Sequence, residues 1–193
     1  IRFRDHAITF NVKPPGSELK GNTLTSWEGI SKKLGTFQLT AEQGEIARHE
    51  VCGVIGENAL GKTTFVKILA GVHKADAGKV NEEVKIAYKP QYLDFDKEDL
   101  VAAYLYKAIK GYEVQLIRPL NLKDLFTKKL CELSGGELQR VMIARALSEE
   151  ADLYLLDEPS AYLDVEQRLI VSKVIRDVMN QKGTSSLVID HDL

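Results

Sequence analysis

The chain has 193 residues, 44% hydrophobic and 28% charged, a composition that supports a sizeable packed core and excludes a wholly disordered chain. Its 26 Lys and Arg against 28 Asp and Glu give a formal charge of -2, which excludes a global basic field for holding nucleic acid. No apolar run approaches the ~18–20 residues that span a bilayer, so direct membrane insertion is not expected. Ile1 is followed by no charged-then-apolar leader, and a cytoplasmic protein is expected. Cys52 and Cys131 form no CxxC pair, so no iron–sulfur cluster is expected in this chain. They read as two buried, reduced thiols.

Residues 1–10 partly alternate through Ile1, Phe3, Ile8 and Phe10, which predicts an edge strand. Pro14-Pro15-Gly16-Ser17 reads as a loop or linker. Phe37, Leu39 and Ala41 alternate with polar residues, which predicts a half-buried strand followed by a turn at Gln43-Gly44-Glu45. Val51 to Ile55 is an unbroken apolar run, the pattern of a parallel strand buried on both faces. A glycine-rich loop follows, then a helix through Phe65, Val66, Ile68 and Leu69 that stops at Gly71. Val84 to Tyr88 predicts another strand. From Asp99 to about Phe126 the pattern is helical, with Pro119 inside it.

Ser134 opens the next helix, and Glu137 three residues on makes a capping box. Leu138, Val141 and Met142 form its apolar face. Leu153 to Leu156 is a second buried strand. A helix then starts at Asp164 and Gln167, turns Ile170, Val171, Val174, Ile175 and Val178 inward, and closes at Gly183. Leu187 to Ile189 is a third core strand. Strands alternating with helices predict an α/β fold with a parallel sheet. The expected organisation is one domain, with an N-terminal β region and linker over about residues 1–50 and a small helical subdomain over about residues 92–147.

Gly56-Glu57-Asn58-Ala59-Leu60-Gly61-Lys62-Thr63 fits the phosphate-loop pattern G-x-x-x-x-G-K-[ST], between a buried strand and a helix. Its backbone amides can turn toward phosphate oxygens, and the helix N-terminus adds roughly half a positive charge. Gly56, Asn58, Gly61, Lys62, Thr63 and Thr64 are therefore the expected nucleotide-binding residues. Lys62 is expected on the β- and γ-phosphates and Thr63 on Mg. Asp157 and Glu158 close the second buried strand, where an open α/β sheet binds ligands. Asp157 is the expected Mg ligand, and Glu158 the base that polarises the attacking water.

Leu133-Ser134-Gly135-Gly136-Glu137 with Gln139-Arg140 asks for more than a cap, because capping needs no glycines. Two glycines at a helix start allow close approach of another molecule. This motif resembles the signature motif of the ATP-binding-cassette (ABC) ATPases. The phosphate loop, the signature and Asp157-Glu158 fall in that family's order, and the resemblance covers most of the chain from about Phe37 to Asp192. It implies the ABC type of P-loop NTPase fold and a Mg-dependent ATPase using ATP. Gln91, in Tyr88-Lys89-Pro90-Gln91, resembles the Q-loop glutamine that touches Mg and the attacking water. His191 resembles the switch histidine that contacts the γ-phosphate. Phe37 is either a core aromatic of its strand or the aromatic that stacks on adenine. Ser160 to Asp164 resembles the D-loop.

The family's domains pack head to tail in pairs. The resemblance thus implies a second ABC nucleotide-binding domain as partner. Ser134, Gly135, Gly136, Glu137 and Asp164 then contribute to the nucleotide held between the two, and an isolated domain hydrolyses slowly. Ser160-Ala161-Tyr162-Leu163-Asp164 and Tyr-Lys-Pro-Gln are similar to subfamily E, the ribosome-recycling factors also called RNase L inhibitors, and to their C-terminal nucleotide-binding domain. That likeness implies ribosomal subunits as partners and a longer two-domain protein of which this is a part. Ala59-Leu60 departs from the family, which often has Gly there. Two other functions stand beside this one. The chain is alternatively the ATPase subunit of a membrane transporter, or a nucleotide-dependent scaffold that does not hydrolyse.

Overall fold

A computed structural model describes residues 22–56, 60–81, 84–91 and 98–190. The expected strand at residues 1–10 and the Pro14-Pro15 linker lie outside the described residues. Two sheets make the frame. The first is antiparallel: β1 (Thr23–Leu34) pairs with β2 (Phe37–Ala41), with β3 (Gly44–Ala47) and with β5 (Ala77–Val80). Leu34 pairs with Phe37, so the β1–β2 hairpin closes in two residues and sets Phe37 at its tip. The turn expected at Gln43-Gly44-Glu45 is shorter than its three residues. Gly44 already pairs with Trp27 of β1 and Glu45 with Ser26, so both belong to β3.

The second sheet is parallel throughout, in the order β4 (Val51–Ile55), β8 (Ser185–Asp190), β7 (Leu153–Asp157), β6 (Ile86–Lys89). This is the parallel α/β core that the alternation predicts. Along β7, Leu153 and Leu155 face a core shared with β1, β2, β3 and α1 (Lys62–Leu69). Tyr154 and Leu156 face the opposite core, shared with α4 (Gly135–Leu147) and α5 (Val165–Lys182). Both faces of β7 are covered, and all five of its residues are buried. The carboxylates at its end therefore rise from the best-supported strand of the sheet.

The strand before the phosphate loop differs from expectation. β4 pairs only with β8 among the described residues, and Val51 and Ile55 are 48% and 57% exposed. Its apolar run is that of a doubly covered strand, but among the described residues β4 is the last strand on that side of the sheet, and the face carrying Val51 and Ile55 is uncovered. The stretch after Asp99 also differs. It is broken into α2 (Val101–Tyr104), α3 (Tyr106–Gly111), a π-helical turn (Glu113–Ile117) and two 3-10 turns (Lys123–Leu125 and Leu130–Glu132). Leu116, Ile117, Leu120, Leu122 and Leu125 are all buried. So dense an apolar run outgrows one helical stripe, and the chain changes its winding to bury each side chain.

In α5 the buried stripe is Val171, Val174, Ile175, Val178 and Met179; Ile170, expected inward, is 37% exposed on its flank. Gly183 closes α5 in the left-handed conformation, as expected. The thiols also differ from expectation. Both are free, but Cys52 is only half-buried and Cys131 is exposed, on a 3-10 turn at the surface.

Candidate functional site

β4 delivers Gly56 to the top of the parallel sheet, and the loop returns into α1 at Lys62. Gly61 is the N-cap, with φ +86, a left-handed value that glycine tolerates best. Phe37 lies against it: a Cβ at position 61 would stand 2.8 Å from Phe37 Cζ. The Lys62 ammonium donates to the Gly56 carbonyl and closes the loop on itself. A cavity of about 270 Å³ opens here, lined by Phe37, Leu60, Gly61, Lys62, Thr63, Thr64 and Glu158. The hairpin tip, the helix N-terminus and the acidic strand end thus meet around one space.

Asp157 is fully buried at the end of β7. Its Oδ1 accepts a hydrogen bond from the Thr63 hydroxyl at 3.2 Å. Its Oδ2 has no hydrogen-bond partner among the described residues. Burial pushes the Asp157 carboxyl above its ordinary pKa, against the pull of the Thr63 hydrogen bond. A buried carboxylate oxygen without a donor beside a hydroxyl suits a hard cation such as Mg. Glu158 stands next in the chain with φ +48, its amide donating to Ile189 of β8 at 2.8 Å. Its Oε2 accepts from the Gln91 amide at 2.7 Å. Gln91, Glu158, Asp157 and Thr63 are therefore linked across separate segments of the chain.

The signature residues stand apart from that cavity. Ser134 Oγ accepts from the Glu137 amide at 3.3 Å, and Glu137 Oε2 accepts from the Ser134 amide at 2.8 Å, which is the expected capping box. Glu137 also pairs with Lys128 at 3.0 Å. Asp164 caps α5 by accepting from the Gln167 amide at 2.8 Å. Glu137 and Asp164, expected to meet nucleotide, thus both serve as helix caps. The glycines have a neighbour within the chain: a Cβ at Gly135 would stand 3.1 Å from the Tyr162 ring, and one at Gly136 3.0 Å from the Tyr162 carbonyl. Close approach is real, and in this chain the D-loop makes it. Asn58 and His191 lie outside the described residues.

The ABC transporter family profile matches residues 39–161, more than half of the chain. The chain belongs to the ABC family. An uncharacterized ABC transporter ATP-binding protein of Methanocaldococcus jannaschii is 48% identical over 100% of this chain, and the chain spans 33% of that protein's length. ABC transporter E family member 3 of Arabidopsis thaliana is 37% identical over 82% of this chain and 94% of its own length. Among solved structures, the complex of the archaeal ribosomal stalk protein aP1 and the archaeal ribosome recycling factor aABCE1 matches with a TM-score of 0.86 at 46% identity, covering 100% of this chain and 38% of that one. The ABC domain is of the E type, and it has the ABC form of the P-loop NTPase fold. Among the described residues no helix is long and apolar enough to cross a membrane.

Three residues of this ABC domain have site roles that the motifs did not reveal. Asp190 accepts from the Ser160 hydroxyl at 2.7 Å and the Ser160 amide at 3.2 Å, anchoring the D-loop to β8. Lys89 is 2% exposed, and its ammonium donates to the Asp157 and Glu158 carbonyls at 2.7 and 3.3 Å. Gln139 is 3% exposed and donates to the same Glu158 carbonyl. A signal existed for Lys89: it alternates with Ala87 on the inward face of β6, an odd position for a cation.

Proposed function

We propose that this chain binds and hydrolyses ATP within a longer E-type ABC protein that separates ribosomal subunits as paired domains close and open. The observation that carries the ATPase reading is the linkage of Thr63 and Glu158, which line the phosphate-loop cavity, to Asp157 and Gln91. The family binds ATP and usually hydrolyses it. In this reading Lys62 leaves the Gly56 carbonyl for the β- and γ-phosphates, the α1 N-terminus holds the same anion, and Phe37 faces adenine. Thr63, Asp157 and Gln91 hold Mg, which when bound offsets charge developing on the phosphate oxygens. Glu158, aimed by its bond to Gln91, takes a proton from the attacking water. His191 contacts the γ-phosphate.

Ser134, Gly135 and Gly136 offer their helix N-terminus to ATP held by a second ABC domain. ATP then favours the closed pair over the open one, which is the differential affinity that any population shift requires. An isolated copy of this chain lacks the opposing signature helix and turns over slowly. Ribosomal subunits as partners are supported by the likeness to the archaeal ribosome recycling factor, and a cytoplasmic site of action goes with that proposal.

Glu158→Gln tests the reading. In the protein at its natural length it should slow phosphate release by ~10²–10⁴-fold while ATP still binds. Sedimentation of ribosomes with that variant should show subunits failing to separate where the parent protein separates them. Turnover close to the parent's would remove Glu158 from the role of base.

A further inference from the structure

Glu158 holds a backbone conformation that a glutamate seldom takes. Its φ of +48 lies in the left-handed region, which carries strain for any residue with a Cβ. Such a conformation persists only where the surroundings over-determine it. Here they do. The Glu158 amide is bound to Ile189, and its carboxylate to Gln91. Its carbonyl accepts from Lys89, from Gln139 and from the Ala161 amide. The Ala161 bond is local to the turn. The other two donors arrive from distant parts of the chain. Lys89 ends β6, two residues before Gln91, and Gln139 sits near the start of the signature helix.

Neither side chain is there by default. An ammonium taken out of water is costly, and burial pushes the Lys89 pKa down to about 8 against the pull of the Asp157, Glu158 and Asp190 carboxylates. A methionine would occupy similar space without that penalty. A lysine is intelligible where its donors are used, and two of them go to successive carbonyls, those of Asp157 and Glu158.

We propose that Lys89 and Gln139 are positioning residues that lock the Asp157–Glu158 backbone in its left-handed turn, and so aim the Glu158 carboxylate. Through them the Glu158 peptide is tied to the Q-loop strand on one side and to the signature helix on the other. A shift of either element then moves the base. The inference rests on Glu158 acting as the base in ATP hydrolysis.

The test uses the protein at its natural length. Lys89→Met and Gln139→Leu should each lower kcat about tenfold or more and leave KM for ATP within about twofold. In a Glu158→Gln background neither should slow the residual rate further, because the group they aim is already gone. A merely structural role would slow that background as well. If Glu158→Gln alone leaves turnover intact, the assignment of the base fails. If Glu158→Gln slows turnover but the two positioning variants do not, the positioning role alone fails. A rise in KM matching the fall in kcat/KM, or an added loss in the Glu158→Gln background, also overturns it. Should Lys89→Met not fold, Gln139→Leu decides by the same readings. Loss of fold in both would mean the pair holds the sheet and not the glutamate.

Discussion

Two helix N-termini in this molecule carry glycines, α1 and α4, and they differ in what is already used. At α1 the N-cap is Gly61, which has no side chain to cap the first turn. At α4 the Ser134 hydroxyl and the Glu137 carboxylate satisfy two donors reciprocally. The first terminus opens into a cavity lined by Lys62, Thr63 and Glu158, and Thr63 in turn bonds the half-satisfied Asp157. The second packs its glycines on the chain's own Tyr162. A helix that must bind ligand alone leaves its donors open. One that first has to hold its own shape caps itself, as α4 does.

Lys62→Ala should break that comparison most visibly. It removes the one ammonium lining the phosphate-loop cavity. Charge-assisted hydrogen bonds to phosphate are the strong kind, so ATP affinity measured by calorimetry should fall at least ~10–100-fold. No removal of a single group at α4 should approach that loss for the chain's own nucleotide. Unchanged affinity in the Lys62→Ala protein would mean that the open terminus is not the binding one.

The contrast also explains what the sequence made legible. Local rules were enough where the chemistry is local. The Ser134–Glu137 box, the helix start at Asp164 and the Gly183 stop each lie within a few residues, and all three stand as expected. The β7 run Leu153 to Asp157 is apolar on both faces because both faces are covered, and it reads correctly. β4 has the same pattern and, among the described residues, is paired on one side only, because pattern reports side-chain type and not which neighbours are present. The inward place of Lys89 was legible from the alternation of β6, but its partners were not. Its partners are the carbonyls of residues 157 and 158, and backbone acceptors leave no trace in side-chain spacing. Tyr162 against Gly135 is likewise a contact between distant segments that no local rule supplies.

Ser134→Ala sharpens the comparison with a smaller effect. It removes the hydroxyl that accepts from the Glu137 amide and keeps the return bond from Glu137 to the Ser134 amide. Loss of such a cap costs about 1 kcal/mol, which lowers Tm by about 2–4 °C in a chain of this size. A thermal melt of the variant measures that directly. If the full-length protein with Ser134→Ala loses far more hydrolysis than stability, the hydroxyl acts on a ligand as well as on the helix. A loss of both in proportion would leave Ser134 a cap and nothing else.

The smallest effect concerns the other half of the same cap. The Ser134 amide, and then the Lys128 ammonium, hold the Glu137 carboxyl at about 2, below its ordinary 4.5. A carboxyl lowered on folding adds stability above its unfolded pKa and loses it as pH falls toward the folded one. The α4 N-terminus should therefore loosen as pH drops through the window from about 4.5 to about 2. The Glu137 side chain is partly exposed, so solvent screens the effect and the change should be local, not global. Amide exchange at Ser134 and Glu137, followed from about pH 5 to about pH 3, should speed beyond the intrinsic pH trend. Glu137→Gln should flatten that excess, because an amide does not titrate there. Exchange that tracks the intrinsic trend in the parent protein would mean that the Glu137 charge adds nothing to the cap, and the hydroxyl of Ser134 would carry it alone.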